Sequence, residues 1–286
     1  MPSNLQRRAA VVGIAVPVVL GVVYVGGWAL VLGLAVLGVV GVSELYRLAE
    51  SGAVRPIREI GYPAAVLVPC LIFATARGGL ELDHAYVQFG SVIAMMCVMA
   101  LAAWRRGPAE KPLAAVSITI FGVLYASVMP SFLILIRHPA APLSSWAATW
   151  LVFLPLVVVW LCDSAAMVGG YLIGGKKLAP VLSPNKTWAG AVVGGGVSLI
   201  VAPLYGRLLL QQVGVSLPVW QLMVFGLLVS TVGQVGDLAE SLFKREVGVK
   251  DSGAFFPGHG GVLDRLDSLN WAIPTAVLLL TAFRAI

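Results

Sequence analysis

The chain has 286 residues, of which 59% are hydrophobic and 11% are charged. Soluble domains are about 45–50% apolar and about 25% charged, so this composition excludes an ordinary soluble domain with a polar surface. The net charge of +6 is compatible with a nucleic-acid partner. In a membrane protein, however, an excess of lysine and arginine first reflects topology, and we expect no nucleic-acid partner.

Apolar runs recur along the whole chain, and many reach the length of about 17–25 residues that a bilayer-spanning helix needs. We therefore predict an all-α, polytopic membrane protein with about nine transmembrane helices. The predicted spans are residues 9–27, 28–48, 60–76, 87–104, 113–136, 147–171, 190–209, 218–238 and 268–286. The first run follows two arginines, as in a signal peptide, but another span follows at once without a clear cleavage site.

The loops between these spans predict the orientation. Loops on one side hold 15 of the 19 lysines and arginines, and those on the other side hold 4. By the positive-inside rule the first side is cytoplasmic. We therefore predict a protein of the cell (inner) membrane whose N-terminus is cytoplasmic and whose C-terminus is outside. His84 and His138 fall in outside loops and are expected to be ordinary surface residues. Glu44, near a helix end, is expected to reach the membrane surface.

Cys70, Cys97 and Cys162 lie inside apolar runs without CxxC spacing. We interpret them as small core residues, and predict neither a disulfide framework nor a zinc site. The four glycines at positions 190, 194, 195 and 196 favour close helix packing over a nucleotide loop. The run 170-GYLIGGKK-177 is not interpreted as a P-loop, because Lys177 replaces the Ser/Thr and a membrane helix precedes it.

Chemically unusual residues concentrate in the second half of the chain. We therefore divide it into a scaffold region, residues 1–145, and a catalytic membrane region, residues 146–286. Asp163 lies within the sixth apolar run, where an ionised carboxylate costs about 2.5–3.5 kcal/mol. It is expected to face a cavity, a cation or a partner, or else to be hydrogen-bonded between helices.

Two groups of carboxylates have helical spacing. Asp237, Glu240, Ser241 and Lys244 stack on one face of the eighth helix, although a solvated helix end would also explain Glu240 and Lys244. Asp264 and Asp267 are three residues apart and share a face if the ninth helix begins there. Paired carboxylates favour a bound cation, and Mg²⁺ takes one or two carboxylates with phosphates and water. The alternative is a favourable interaction with the helix dipole.

Cations and glycines surround these carboxylates. Glycines leave backbone N–H groups open to phosphate oxygens, and the loop 176–190 adds further polar groups. The residues that could bind phosphates are Lys176, Lys177, Ser183, Lys186, Lys244, Arg245, Lys250, Arg265, Gly260 and Gly261. His259 could contact phosphate, handle a proton, or serve only the loop structure. Carboxylates for a metal among cations for phosphates indicate phosphoryl or nucleotidyl transfer.

The run 241-SLFKREVGVKDSGAFFPGHGGVLDRLDS-268 closely resembles the signature of the phosphatidate cytidylyltransferase (CDP-diacylglycerol synthase) family. The matching positions are Ser241, Lys244, Arg245, Lys250, Asp251, Gly253, Pro257, His259, Gly260, Gly261, Asp264, Arg265 and Asp267. Asp237 and the loop 183-SPNKTW-188 also resemble the family. Two positions depart from it: Cys162 replaces the usual Asn, and Ala189 replaces an acidic or amide residue.

The resemblance implies an enzyme that converts CTP and phosphatidic acid into CDP-diacylglycerol and pyrophosphate at the cytoplasmic membrane surface. It implies catalytic roles for Asp237, Asp264, Lys250 and His259, substrate binding by Ser241, and Mg²⁺ bound by Asp237, Asp264 and Asp267. A second cation such as K⁺, and a homodimer, are further expectations, and Asp163 is a further site candidate. The alternatives are a CTP-dependent enzyme acting on another membrane lipid, and an ion-coupled transporter.

Overall fold

The structure is a computed structural model that describes residues 4–78, 84–141, 143–256 and 260–286. It is mainly helical, as predicted. The helices are α1 (Asn4–Val25), α2 (Gly27–Ser51), α3 (Arg58–Ala76), α4 (His84–Arg105), α5 (Pro112–Val123), α6 (Met129–Ser131), α7 (Leu133–Arg137), α8 (Ser145–Ile173), α9 (Trp188–Tyr205), α10 (Val219–Glu246) and α11 (Leu263–Ala282). Two strands, β1 (Lys177–Ala179) and β2 (Ser183–Thr187), form a hairpin.

Six helical stretches among the described residues are long and apolar enough to cross a membrane: 27–51, 58–76, 108–137, 145–173, 188–213 and 219–246. The described parts of α1 and α4 add two shorter apolar helices, Val16–Val25 and Phe89–Arg105. Helix α11 overlaps the ninth predicted span but is not among the six. The chain is therefore a polytopic membrane protein, while nine spans and the orientation of the termini stay predictions.

The fifth predicted span is not a uniform α-helix. A π-helical turn, Leu124–Val128, separates α5 from α6. The N–H of Met129 donates to the oxygen of Leu124, five residues back. Pro130 follows directly. It has no backbone N–H to donate, and its ring crowds the preceding turn of the helix. Proline therefore accounts for the interruption.

The hairpin is the departure from the all-α prediction. Strands β1 and β2 pair antiparallel, with Lys177 opposite Thr187 and Ala179 opposite Ser183. Thr187 also caps α9, since its Oγ1 accepts a hydrogen bond of 3.0 Å from the N–H of Gly190. The hairpin thus leads from the end of α8 directly into α9 and fixes the position of Lys186.

Helix α8 runs through the core and packs against α1, α7, α9, α10 and α11. Leu151, Leu154 and Val158 on this helix are fully buried. Helix α9 packs closely against it, since a Cβ on Gly190 would clash with the carbonyl oxygen of Ala166. Packing by small residues is confirmed here, but a Cβ on Gly196 would meet nothing within 4 Å.

Two minor predictions are wrong. Cys162 is buried as expected, but Cys97 is exposed; all three cysteines are free. His138 is not a plain surface residue, because it is half-buried and its Nε2 accepts a hydrogen bond of 2.9 Å from the N–H of Gly27. Burial, followed by the charges of Arg137 and Arg77, lowers the pKa of His138 to about 4. Its imidazole therefore holds the first turn of α2 as a neutral acceptor.

Candidate active site

The polar face predicted on α10 is present, and most of it is buried. Glu240, Ser241 and Lys244 are all buried. The Lys244 ammonium donates to Glu240 Oε1 at 3.3 Å and to Asp264 Oδ1 at 2.8 Å. The alternative of a solvated helix end is therefore wrong for Glu240 and Lys244. Lys244 instead joins α10 to the beginning of α11.

Asp264 is surrounded by donors. In addition to Lys244 on Oδ1, its Oδ2 accepts hydrogen bonds from the N–H of Ser252 at 2.8 Å, the hydroxyl of Ser252 at 3.0 Å and the N–H of Gly261 at 2.8 Å. Hydrogen bonds and an adjacent cation stabilise the ionised form of a carboxylate. Asp264 therefore holds both described sides of the loop that precedes α11.

Glu44 is a site residue that the sequence reasoning missed. Its side chain is fully buried and does not reach the membrane surface. Its Oε1 accepts from the N–H of Val262 at 3.1 Å, and its Oε2 accepts from the N–H of Leu263 at 3.0 Å and the hydroxyl of Ser252 at 3.1 Å. The signal in the sequence was an acidic residue inside an apolar run, the same signal that identified Asp163.

A second ion pair lies on the same face of α10, nearer the start of the helix. The Lys186 ammonium, on β2, is 2.5 Å from Asp237 Oδ2. The hydroxyl of Ser241 donates weakly to Asp237 Oδ1 at 3.5 Å. Asp163, exposed on α8, interacts electrostatically with both Asp237 and Lys186. The structure therefore brings Asp163, Lys186 and Asp237 together from three elements.

Asp267 lies one turn beyond Asp264 and is half-buried. It interacts electrostatically with Asp237 and Glu240 across the contact between α10 and α11. That contact is close because α10 carries Gly236, where a Cβ would come within 2.8 Å of the backbone oxygen of Asp267. The Oδ1 atom of Asp267 accepts a hydrogen bond of 2.7 Å from the N–H of Ser268.

The predicted phosphate-binding cations fall into two groups. Arg245 braces the structure, since it donates to the carbonyl oxygens of Leu182, at 3.4 Å, and Val249, at 2.7 Å. The side chains of Lys250 and Arg265 are exposed and make no hydrogen bond or ion pair with another described residue. Lys250 and Arg265 are thus available to an anionic ligand. Ser183, a further predicted phosphate-binding residue, is half-buried in β2.

The glycines of the loop are only partly described. Gly260 has a φ of +84°, and a Cβ there would lie 2.7 Å from Asp264 Oδ2. Gly261 donates its N–H to the same oxygen. His259 lies outside the described residues, together with Pro257 and Gly258. The predicted role of His259 therefore stays a prediction.

The donor chemistry fits a magnesium ion at Asp237 and Asp267. No group of three or more metal-binding side chains occurs among the described residues. Mg²⁺ does not need one, because it is bound through one or two carboxylates with substrate phosphates and water. Asp264 fits less well, since its oxygens already accept four hydrogen bonds. Its assignment as a metal ligand stays a prediction.

Comparison with known sequences identifies the family. Residues 6–283 match the sequence profile of the cytidylyltransferase family. The chain belongs to this family. A relative named phosphatidate cytidylyltransferase from Brucella suis is 36% identical over 291 residues, covering 99% of this chain and 94% of the relative. One of the same name from Staphylococcus aureus is 48% identical over 124 residues, 43% of this chain and 46% of the relative.

Membership of the cytidylyltransferase family gives the site a chemical meaning. The family's name specifies transfer of a cytidylyl group, and cations can stabilise the phosphate charges in such a transfer. The site contains cations beside carboxylates, in the pairs Lys186–Asp237 and Lys244–Asp264. Family membership thus favours a transferase over the alternative of an ion-coupled transporter.

Proposed function

We propose that the chain is a phosphatidate cytidylyltransferase, which transfers the CMP moiety of CTP to phosphatidic acid for phospholipid biosynthesis. The products are CDP-diacylglycerol and pyrophosphate. The observation that carries the proposal is the convergence of the 241–268 signature residues with Lys186 and Asp237 at one site. Its support is a relative of that name that aligns with 99% of the chain.

In the proposed reaction, a phosphate oxygen of phosphatidate attacks the α-phosphorus of CTP. A new P–O bond forms, the bond to the bridging oxygen breaks, and pyrophosphate leaves with the electron pair. Lys250 and Arg265 bind phosphate oxygens, and Lys186 can exchange the carboxylate of Asp237 for the triphosphate. A phosphate monoester is already anionic near neutral pH, so His259 acts as a ligand or orienting group rather than a strong base.

Asp237 and Asp267 would hold Mg²⁺, with Asp264 as the third predicted ligand. When bound there, the ion would supply positive charge to stabilise the triphosphate and the leaving pyrophosphate. Asp163 lies close to Asp237 and could help to bind the ion. K⁺ is the proposed second cation. The buried pair of Lys244 and Asp264 keeps α10 and α11 in register, so that the carboxylates of the two helices face one another.

Access for a lipid is consistent with the surface around Asp163. On α8, Met167 is 72% exposed and Tyr171 is 87% exposed. On α9, Val192 is 70% exposed. These apolar side chains flank the polar site, so a two-chain lipid could approach it from the bilayer while CTP enters from water. We propose that the site lies at the cytoplasmic side of the cell (inner) membrane. We also propose that the chain forms a homodimer.

The test is a purified protein assayed with α-labelled CTP, Mg²⁺ and phosphatidate for labelled CDP-diacylglycerol and pyrophosphate. Asp237→Asn should lower the rate at least about 100-fold, because it removes a carboxylate that would hold Mg²⁺ and that pairs with Lys186. The control is Glu59→Gln, which breaks an exposed ion pair with Arg105. Labelled product from an isoprenoid alcohol but not from phosphatidate would select the alternative lipid, and ion flux without CTP turnover would exclude the enzyme.

A further inference from the structure

Glu44 is a fully buried carboxylate from the N-terminal half of the chain that no step of the proposed reaction uses. It lies on α2, 208 residues from Ser252 and 219 residues from Leu263, and contacts both. We propose that Glu44 is a positioning residue that fixes the loop before α11 and, through it, the phosphate-binding groups of the active site. This inference rests on the proposed function for its kinetic consequence.

Glu44 caps the N-terminus of α11. The first N–H groups of a helix have no partner within it, and the helix dipole favours a negative charge at that end. The carboxylate of Glu44 accepts the N–H groups of Val262 and Leu263, one on each oxygen. A residue from α2 therefore does what a capping side chain normally does locally, and it links the start of α11 to the scaffold region.

Ser252 connects Glu44 to Asp264. The hydroxyl of Ser252 lies 3.1 Å from Glu44 Oε2 and 3.0 Å from Asp264 Oδ2. A hydroxyl has one proton, so it donates to one of the two carboxylates at a time. Asp264 accepts a hydrogen bond from Lys244, which also donates to Glu240. Glu240 in turn accepts a hydrogen bond of 3.1 Å from the hydroxyl of Tyr125. The buried network thus connects α2, the loop, α11, α10 and the π-helical turn.

Two glycines of the loop lie against the Glu44 carboxylate. A Cβ on Gly253 would clash with Glu44 Oε1, and a Cβ on Gly261 would clash with Glu44 Oε2. Both glycines belong to the 241–268 signature, whereas Glu44 does not. Two signature glycines are therefore required by the close approach of a residue outside the signature. The described sides of the loop close around the Glu44 carboxylate from two directions.

The experiment uses the full-length protein in detergent or liposomes with Glu44→Gln and Glu44→Asp. Glutamine has nearly the same shape, but it removes the charge and turns an NH₂ group towards donors. The matched control is Glu50→Gln, on the same helix, where the carboxylate pairs with Arg58 at the surface. Steady-state kinetics for CTP and phosphatidate are combined with hydrogen exchange of peptides covering residues 249–256 and 260–266.

For Glu44→Gln we expect kcat per folded molecule to fall about 10- to 100-fold, because small displacements of positioning groups have effects of this size. The KM for phosphatidate should change less than kcat, and Glu44→Asp should recover part of the rate. Exchange should accelerate in the 249–256 and 260–266 peptides but not in α8. Glu50→Gln should match the wild type in both measurements.

Unchanged kcat and unchanged exchange in Glu44→Gln would overturn the proposal, and so would a loss of activity that only follows the unfolded fraction. If Glu44→Gln does not fold, Ser252→Ala tests the proposal instead, since it removes only the bridging hydroxyl. Hydrogen exchange and kcat equal to the wild type in Ser252→Ala would then overturn the proposal. If the wild type makes no CDP-lipid, the proposed function fails by itself. The exchange comparison, with and without CTP, still tests whether Glu44 holds the loop.

Discussion

Lys244 is buried between two carboxylates, Glu240 and Asp264, and only 9% of its side chain is exposed. Removing one member of a buried pair leaves an unpaired buried charge, which costs about 3–5 kcal/mol. An exposed pair such as Arg58 and Glu50 contributes about 0–1 kcal/mol. Asp264 and Asp237 should therefore respond differently to loss of charge, although both belong to one site.

We expect Asp264→Asn to lower the free energy of unfolding by about 3–5 kcal/mol, because Lys244 and the loop N–H groups lose a common acceptor. Asp237→Asn should lower it much less, because 25% of the Asp237 side chain is exposed. Unfolding in mixed detergent micelles measures both, with Glu50→Gln as the surface control. Equal effects of Asp264→Asn and Glu50→Gln would contradict the structural role of Asp264.

His138 predicts a pH effect on stability. Its pKa is about 4 in the folded protein and about 6.5 when unfolded. The unfolded chain therefore binds more protons between these values, and stability decreases as the pH falls from about 6.5 towards about 4. The maximum slope for one proton is about 1.4 kcal/mol per pH unit.

His138→Phe should lose this component, although at pH 7 it is less stable because the N–H of Gly27 loses its acceptor. The measurement is thermal unfolding of both proteins in one detergent between pH 7 and pH 5. The stability difference between them should shrink as the pH falls. Parallel pH profiles for the two proteins would show that His138 does not titrate as its environment predicts.

At the scale of elements, α10 and α11 depend on a close contact at Gly236. A Cβ there would lie 2.6 Å from Trp271 Cδ1 and 2.8 Å from the backbone oxygen of Asp267. Overpacking of this kind costs about 1–3 kcal/mol and displaces the backbone. Because Asp237 and Asp267 flank this contact, a displaced α11 also separates the proposed magnesium ligands.

Gly236→Ala should therefore lower the thermal stability, and it should raise the Mg²⁺ concentration needed for half-maximal activity. Gly196→Ala is the control, because a Cβ at this helical glycine would meet nothing within 4 Å. Cytidylyltransferase assays over a range of Mg²⁺ concentrations test the effect. A Mg²⁺ requirement identical in the two variants would argue against the pairing of Asp237 with Asp267.

Hydrophobic runs were sufficient to predict where the helices lie, because a span needs a fixed length of apolar residues. Periodicity was sufficient to place Asp237, Glu240, Ser241 and Lys244 on one face of α10. The partners of Glu44 could not be predicted, since they lie more than 200 residues away in sequence and depend on tertiary packing. The hairpin was missed because its two strands, 3 and 5 residues long, have no clear alternation.

At the scale of the whole molecule, the arrangement of charges predicts the topology. The site residues Lys186, Lys244 and Lys250 belong to the lysine-rich side, which the positive-inside rule assigns to the cytoplasm. CTP reaches the site only if that assignment is correct. The orientation is therefore a condition of the proposed function, and it can be tested without measuring activity.

The test places single cysteines in a background from which Cys70, Cys97 and Cys162 have been removed. Ser51→Cys lies at the exposed C-terminal end of α2, and Gln212→Cys lies in the exposed segment between α9 and α10. In intact cells, a membrane-impermeant maleimide should label Gln212→Cys and should reach Ser51→Cys only after lysis. The reverse pattern would place Lys244 and the whole signature outside the cell, where CTP is not available, and would contradict the positive-inside prediction and the proposed function together.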